Sequence, residues 1–310
     1  KEGKLIHFKN GIKTYINGLP ETVDLGQGGL LDIELHPNYK DNGWVYITYA
    51  SSNDDKNGAN TSLMRFKISG NKITNKELLY SATPNSKKGQ HFGSRIIFDD
   101  NNQIYFSIGD RGNRNVNPQN IKRDGGKIYR LDDDGSIPID NPFVKDRYAK
   151  KAIYSYGLRN PQGIAINPLS NEIWVHDHGP RGGDEINIIS AGKNYGWPLA
   201  SYGVNYIGTK FTDNTSLKGM EDPIHYWVPS IAPSGMVFVT SDIYPRLKNN
   251  LLIGSLKFEY LHMCVLNGNK VVKEEKLLEG IGRLRSLEIG PKGFVYAGVE
   301  NLGIIKLLPN

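Results

Sequence analysis

Short segments of alternating apolar and polar residues run along the chain, and one pattern recurs five times. In each copy an alternating strand is followed by a turn of Pro, Asp, Asn or Gly and by a second strand centred on an aromatic or aliphatic residue. No window of 12 or more residues keeps a 3.6-residue period, so we expect no helix of ordinary length. The five predicted strand pairs are residues 31–35 with 44–49, 95–98 with 104–108, 163–166 with 173–175, 235–238 with 251–253, and 287–289 with 294–297.

This repetition predicts an all-β protein, and we expect a six-bladed β-propeller. A ring of blades leaves few exposed strand edges, and 35 glycines and 16 prolines supply its turns. The second strands lie about 62 residues apart on average, whereas compact propeller repeats take roughly 40 to 50, so we expect insertions in the middle blades. A partial sixth unit at residues 4–15 resembles the outer strands of a blade whose inner strands lie upstream or come from residues 303–307. The alternative fold is a pair of β-sandwiches.

The length of 310 residues fits either two ordinary domains or one large all-β domain. We expect residues 1–310 to form a single propeller domain that lacks its first N-terminal strands. The chain opens abruptly without a signal peptide, as a processed or truncated product would, so the compartment is left open.

Composition excludes several classes of function. The formal charge of +6 comes from Lys and Arg scattered along the chain, which predicts mild attraction to anions rather than nucleic-acid binding. No stretch of 18 apolar residues is present, so a membrane span is not expected. The single cysteine, Cys264, excludes a disulfide framework and a Cys-based metal site, and we expect a buried structural thiol.

Two polar residues flank the second strand pair. His91 immediately precedes its first strand, and Asp110 directly follows its second strand. A hairpin brings these two positions to the same end of a sheet, so the side chains can meet. A histidine oriented by a carboxylate is suited to act as a general base, although ordinary loop hydrogen bonds produce the same pair.

Four cations occupy equivalent places at the ends of other strands. Arg283 and Arg285 are two residues apart, so an extended strand directs both to the same side. Lys257 has the equivalent position in the preceding repeat, and Arg159 lies in a polar turn of a third one. Cations gathered at one propeller channel predict a ligand with several carboxylates or phosphates. The alternative is that each arginine is solvated or pairs with a nearby glutamate, such as Glu259 or Glu288.

A second polar loop covers residues 179–185. Gly179 and Pro180 offer two consecutive main-chain carbonyls, and Asp184 and Glu185 follow in the same loop. Oxygen ligands of this kind suit a hard cation such as Ca²⁺, but a Gly-Pro turn alone is also a common structural feature.

Taken together, these segments give the chain a family likeness. It resembles the soluble quinoprotein glucose dehydrogenases and, more closely, the aldose sugar dehydrogenases, from about Gly26 to Leu308. The resemblance implies a six-bladed propeller that holds pyrroloquinoline quinone (PQQ) and Ca²⁺ in its central channel and oxidises aldose sugars to lactones. The matching segments are residues 26–31, 36–37, 90–93, 158–163, 179–180, 184–187, 194–198, 232–235, 255–257 and 283–285.

The resemblance also implies roles for single residues in catalysis and cofactor binding. His91 is the base that removes the proton of the anomeric hydroxyl while hydride passes to the quinone, and Asp110 orients it. Gln27 and Trp227 face the substrate. The cofactor shell comprises Arg159, Asn160, Gln162, Lys257, Arg283 and Arg285.

For calcium, the resemblance implies two sites. The carbonyls of Gly179 and Pro180 hold the Ca²⁺ that polarises the quinone, a Lewis-acid role. Glu185 and the carbonyl of Tyr195 form a second, structural site.

Two positions depart from the glucose dehydrogenase branch. Gln90 stands where that branch has an acidic residue before the histidine, and the segment between Trp197 and Trp227 lacks its long cysteine-bearing insertion. We therefore expect a wider channel mouth that accepts varied aldoses. Similar propellers also act as calcium-dependent lactonases or as sugar-binding proteins that have lost the cofactor, and both remain alternatives.

The expected partners are an aldose sugar and an electron acceptor that the sequence does not identify. A monomer or weak dimer in the periplasm or secreted from the cell is expected.

Overall fold

The computed structural model describes residues 3–52 and 57–309, and nearly all of its regular structure is strand. Strands account for 42% of residues and helix for 1%, which confirms the all-β class. The single α-helix within these residues is one turn, Tyr39–Asn42 (α1), and it ends at Gly43 in the left-handed conformation. No helix in this part of the chain is long and apolar enough to cross a membrane.

The chain divides into two compact units, Lys1–Asn160 (unit 1) and Pro161–Asn310 (unit 2). Unit 1 holds a two-stranded hairpin followed by two antiparallel sheets, or blades, of four strands each. The hairpin is β1 (Leu5–Lys9) and β2 (Ile12–Ile16). Blade 1 is β3 (Leu30–Leu35), β4 (Val45–Ser51), β5 (Asn60–Ser69) and β6 (Lys72–Ser81), and blade 2 is β7 (Ile96–Phe98), β8 (Ile104–Ile108), β9 (Lys127–Leu131) and β10 (Ile153–Tyr156).

Unit 2 holds three further antiparallel blades. Blade 3 is β11 (Pro161–Ile166), β12 (Ile173–Asp177), β13 (Asp184–Ile189) and β14 (His225–Trp227). Blade 4 is β15 (Pro233–Phe238), β16 (Leu251–Ser255), β17 (Leu261–Asn267) and β18 (Lys270–Leu277). Blade 5 is β19 (Leu284–Ile289), β20 (Val295–Val299) and β21 (Gly303–Lys306).

The burial of each strand follows its place in the blade. The second strands β8, β12 and β16 are buried along their whole length, whereas the outer strand β18 is mostly exposed. Apolar side chains of neighbouring blades pack face to face within each unit, as in the cluster that joins Tyr46 and Leu63 of blade 1 to Phe106 and Tyr129 of blade 2. The strand ends, which carry the polar residues of the sequence motifs, are left outside these cores.

All five predicted strand pairs are present as antiparallel ladders. They are β3 with β4, β7 with β8, β11 with β12, β15 with β16, and β19 with β20. Four of the five carry a β-bulge close to the beginning of the first strand. Bulges redirect side chains and are enriched next to functional sites, so they affect where the site residues point.

The prediction of six blades is wrong, because the described residues form five. The partial sixth unit is present only as the β1–β2 hairpin, which forms a separate two-stranded sheet. Residues 303–307 were considered as its inner strand, but β21 pairs with β20 and completes blade 5 instead. The five repeats were therefore identified correctly, and the error was to count the hairpin as a blade.

Candidate active site

In unit 1, the predicted contact between His91 and Asp110 is present. The Nδ1 atom of His91 lies 2.7 Å from Oδ1 of Asp110, and both residues are buried. Because a carboxylate oxygen only accepts hydrogen bonds, Nδ1 carries the proton and the lone pair lies on Nε2. The same Oδ1 accepts the main-chain N–H of Gly112 at 2.7 Å, which fixes the carboxylate in turn. The arrangement gives His91 a defined tautomer, as a general base requires.

Gln27, which was predicted to face the substrate, lies beside His91. Its side-chain Oε1 accepts a hydrogen bond from the main-chain N–H of His91 at 2.8 Å, and the main-chain N–H of Gln27 donates to the carbonyl of Gly89 at 2.6 Å. The two loops approach closely at Gly26, where a Cβ atom would lie 2.2 Å from the Gly89 oxygen. Glycine at position 26 therefore allows Gln27 to reach the histidine loop.

Arg159 and Asn160 also contact this region of unit 1. The carbonyl of Arg159 accepts the N–H of Asp110 at 2.6 Å, and Oδ1 of Asn160 accepts the N–H of Gly93 at 3.2 Å. Both side chains are buried. These two predicted cofactor residues are thus brought beside the His91–Asp110 pair.

The surroundings of His91 lower the pKa of its imidazole from the usual value near 6.5. Burial is the largest cause, because it penalises the charged form. The hydrogen bond to Asp110 raises the pKa, and the nearby charge of Arg159 lowers it again. The imidazole is therefore neutral at pH 7 and able to accept a proton.

In unit 2, Arg283 and Arg285 point to the same place, as their spacing predicts. Both guanidinium groups bind one oxygen of Glu300, with Arg283 Nε at 3.0 Å and Arg285 Nη2 at 2.7 Å. Arg283 also donates to the carbonyl of Leu256 at 2.9 Å, next to Lys257. Glu300 is thus a carboxylate partner of both arginines, and the sequence had suggested Glu259 or Glu288 for this role. These contacts show that the arginine pair can hold a carboxylate group.

Lys257 and Gln162 are the other two predicted cofactor residues of unit 2. Lys257 is exposed, and its ammonium lies 4.9 Å from the centre of the Phe258 ring. Gln162 and Arg285 each occupy the bulge at the beginning of their strand. The bulges in β11 and β19 therefore carry two of the predicted cofactor ligands.

Several carboxylates flank the loop between β12 and β13. Asp177 and Glu185 stand directly opposite each other on β12 and β13, where like charges repel. Burial, followed by the charge of Asp177, raises the pKa of Glu185 to about 8. The carboxylate of Asp184 accepts three hydrogen bonds. They come from the main-chain N–H of Gly179 at 2.9 Å, from the hydroxyl of Ser230 and from the main-chain N–H of Ala232. It therefore holds the Gly179–Pro180 turn in place.

One buried acceptor near Glu185 has no donor within the described residues. Asn187 is 1% exposed, its amide nitrogen lies 3.4 Å from Glu185, and its Oδ1 makes no hydrogen bond. An orphaned oxygen beside a carboxylate pair fits an oxygen-coordinated cation. No group of three or more His, Cys, Asp or Glu side chains in residues 3–52 and 57–309 has the geometry of a metal site, so such a site needs main-chain and amide oxygens.

Tyr195 and Trp227 are both buried in unit 2. The hydroxyl of Tyr195 donates to the carbonyl of Ile188 at 2.7 Å. Trp227 packs in the core with Trp174, and its indole N–H donates to Glu274 at 2.7 Å. The structure therefore places the indole of Trp227 in the hydrophobic core.

Comparison with known proteins identifies the family to which the chain belongs. The family model described as Glucose / Sorbosone dehydrogenase matches residues 1–306. The chain belongs to this family. Aldose sugar dehydrogenase YliI of Escherichia coli (strain K12) is 40% identical over 300 residues, which cover 95% of this chain and 81% of that protein.

Solved structures of dehydrogenases resemble this family member along almost its whole length. The apo-form of the soluble aldose sugar dehydrogenase of Escherichia coli has 38% identity and a TM-score of 0.95, covering 99% of this chain and 91% of that one. The PQQ-bound form of the aldose sugar dehydrogenase of Streptomyces coelicolor has 28% identity and a TM-score of 0.78, with coverages of 97% and 83%. The chain is therefore an oxidoreductase of the sugar dehydrogenase family.

Two residues that contact predicted site residues were not identified from the sequence. Arg111 is fully buried against the His91 loop, and Glu300 binds both arginines of blade 5. Arg111 directly follows Asp110, which was a usable signal because a charged residue next to a catalytic candidate is a candidate itself. Glu300 had no such signal, because it reaches Arg285 only through the pairing of β19 with β20.

Proposed function

We propose that the protein is a quinoprotein dehydrogenase that oxidises aldose sugars at the anomeric carbon to lactones, with PQQ as the oxidant. The observation that carries this proposal is the buried His91–Asp110 pair, which presents a neutral imidazole with a fixed tautomer. Support also comes from the PQQ-bound structure of a relative with 28% identity. A periplasmic or secreted location belongs to the same proposal.

His91 acts as the general base. Its Nε2 accepts the proton of the anomeric hydroxyl, and the imidazolium that forms is stabilised by Asp110. Gln27 fixes the main chain at His91, so the direction of Nε2 is set before the sugar binds. When bound, PQQ supplies the two-electron acceptor for the hydride that leaves the anomeric carbon.

The proposed cofactor ligands are the positively charged and amide side chains near the strand ends of each unit. Arg283 and Arg285 would bind a carboxylate of PQQ, because they already hold the carboxylate of Glu300. Lys257 adds a third positive charge in unit 2, and Gln162 adds an amide on its bulge. In unit 1, Arg159 and Asn160 beside His91 are proposed as further cofactor ligands.

Calcium is proposed at two places in unit 2. The carbonyls of Gly179 and Pro180 would hold the ion that serves the quinone, since Asp184 fixes this turn. Glu185 and the carbonyl of Tyr195 would hold the second ion. The orphaned Oδ1 of Asn187 and the opposed carboxylates of Asp177 and Glu185 fit a cation at the second place.

Replacing Glu185 with glutamine should abolish stabilisation by calcium at this second place. Ligand binding to the folded state raises stability by about 2.7 kcal/mol at a hundredfold excess over Kd, so the unmodified protein should melt at a higher temperature in CaCl₂ than in EDTA. The Glu185→Gln variant should lose the part of that difference that comes from the second place and keep the part that comes from the Gly179–Pro180 place, as measured by differential scanning fluorimetry. Glu279→Gln, at an exposed loop position, is the control and should keep the whole difference. A calcium response that is equal in all three proteins would contradict the assignment of Glu185.

Glucose oxidation by the reconstituted protein tests the function itself. Purified protein is incubated with PQQ, CaCl₂, or both, and then mixed with glucose and an artificial electron-accepting dye. Dye reduction that requires both additions supports the quinoprotein dehydrogenase. Hydrolysis of a lactone with calcium alone supports the lactonase, and sugar binding without either reaction supports a cofactor-free binding protein.

We propose that Gln27 contacts the substrate directly and that Trp227 acts from within the core of unit 2. Gln27 is exposed and contacts the main chain of His91, which suits a residue at the sugar. Trp227 is 6% exposed, so it would shape its surroundings by packing rather than by offering its indole N–H, which Glu274 already accepts. A range of aldoses, rather than glucose alone, is part of the proposal.

A further inference from the structure

Arg111 is a fully buried cation next to the proposed catalytic pair. Its side chain has no exposed surface, and its main chain adopts a left-handed conformation with φ of 55°. His91 adopts the same conformation, with φ of 58°. Residues other than glycine rarely take this conformation, and they concentrate at functional sites when the surrounding structure enforces it.

The guanidinium of Arg111 binds main-chain oxygens only, within the described part of the chain. It donates to the carbonyl of Gln90, to that of Lys88 at 3.1 Å and to that of Ala59 at 3.4 Å. Its plane packs on the ring of Phe92, with Cζ 3.3 Å from the ring centre. These contacts fix the residues on both sides of His91.

Stability alone does not explain a cation at this place. Arg111 loses its hydration on burial, and within the described residues no carboxylate is hydrogen-bonded to it, although the charge of Asp110 raises its pKa. Replacing buried charges with apolar residues of similar volume is often neutral or stabilising. The lost hydration shows in the pKa of Arg111, which burial lowers to about 9. A function in holding the loop is the more direct explanation.

The contacts of Arg111 complete a clamp around one peptide group. The Gln90 carbonyl and the His91 N–H belong to the same peptide, and they are bound by Arg111 and by Gln27 respectively. Asp110, the residue before Arg111, binds the imidazole. Consecutive residues of one loop therefore hold the main chain and the side chain of His91.

We propose that Arg111 is a positioning residue that holds His91 in its left-handed conformation and so directs Nε2 toward the sugar. The kinetic part of this proposal rests on the proposed dehydrogenase function, whereas the placement of the imidazole does not. Misplacing a catalytic group by about 1 Å can reduce the rate about 10²-fold. The expected effect is on turnover, because Arg111 has no exposed surface with which to contact a ligand.

The charge of Arg111 also acts on His91. The charged groups that face this imidazole are Asp110, Arg159 and Arg111, and both arginines lower its pKa while Asp110 raises it. Removing the Arg111 charge should therefore move the His91 titration to higher pH. A residue that served only the stability of the fold would not produce this shift in a variant that remains folded.

Two substitutions separate geometry from charge. Arg111→Met removes the charge and the hydrogen bonds, whereas Arg111→Lys keeps the charge but loses the planar fork that reaches two carbonyls. The control is Arg130→Met, which removes another buried arginine from the same unit, one that binds Asn141 and Asp140. The measurements are kcat and KM with glucose, the Kd of PQQ, and the NMR titration of His91, assigned with a His91→Gln protein.

Arg111→Met is expected to lower kcat about 10- to 100-fold, with KM and the PQQ Kd changed less than about threefold, and to raise the His91 titration midpoint. Arg111→Lys should lower kcat while keeping the midpoint near that of the unmodified protein. The proposal is overturned if kcat and the His91 titration of Arg111→Met match those of Arg130→Met. If Arg111→Met does not fold, the same comparison is made with Arg111→Lys, for which an unchanged kcat overturns the proposal. If the unmodified protein has no dehydrogenase activity, the proposed function fails, and the NMR titration still tests the positioning of His91.

Discussion

Replacing His91 with alanine is expected to lower kcat about 10²- to 10⁴-fold, as loss of a general base usually does. The reason is that His91 is the proposed acceptor of the anomeric hydroxyl proton, while Asp110 is already bound to Nδ1. PQQ affinity should change little, because the proposed cofactor ligands are the cations and amides of other loops. Turnover is measured with PQQ-loaded protein, glucose and a dye, and Kd by titration with PQQ.

The control for this experiment is His7→Ala. His7 is an exposed residue of β1 in the same unit, so turnover should equal that of the unmodified protein. An asparagine at position 110 should also lower kcat, because it permits the wrong tautomer of His91. Turnover of His91→Ala close to that of the unmodified protein would remove His91 from the role of base.

The pH dependence of kcat/KM tests the same residue without a substitution. A base must be unprotonated, so activity is present above its pKa and is lost as the pH falls through it. Burial lowers the pKa of His91 from 6.5, and the profile should therefore have its midpoint below 6.5. A midpoint above 6.5 would contradict the assignment of the acidic limb of the pH profile to the buried imidazole of His91.

Local patterns predicted the blades well but not their number. Alternation identified all five inner strand pairs because their apolar side chains pack in a core, and a strand in the wrong register would expose them. The hairpin at β1 and β2 has the same alternation, although most of its side chains are exposed. What distinguishes it from a blade is that its sheet has two strands in the part of the chain that the structure describes. Pairing between distant segments is not encoded in any short window.

The site was predictable where a hairpin alone determines the distance. His91 and Asp110 flank two paired strands, so their contact follows from local geometry. Glu300 and Arg111 were missed because their contacts depend on how loops fold over strand ends. The fully buried Lys127, whose ammonium binds the carbonyls of Asn117 and Gly125, was missed for the same reason. Burial of a charge is decided by the tertiary fold, and composition gives no sign of it.

Replacing Arg285 with alanine is expected to weaken PQQ binding about 10- to 100-fold, as loss of a charge-assisted hydrogen bond to a carboxylate does. Arg285 occupies a bulge on β19 and shares one carboxylate oxygen with Arg283. The loss should appear in Kd, with kcat at saturating PQQ nearly unchanged. Lys292→Ala removes an exposed cation from the turn at the other end of β19 and should leave Kd as it is. An unchanged PQQ titration in Arg285→Ala would count against the arginine pair as a cofactor ligand.

Glu300 allows a second test of the arginine pair, because its carboxylate already binds both guanidinium groups. Hydrogen bonds from Arg285 and Arg283 lower the pKa of Glu300, so its carboxylate is charged at pH 7 and competes with a cofactor carboxylate for the same donors. Glu300→Gln should therefore bind PQQ more tightly than the unmodified protein, with the largest gain at low salt, where charges are least screened. Weaker binding by Glu300→Gln would show instead that the carboxylate is needed to hold both guanidinium groups in place, because glutamine still accepts one hydrogen bond but carries no charge.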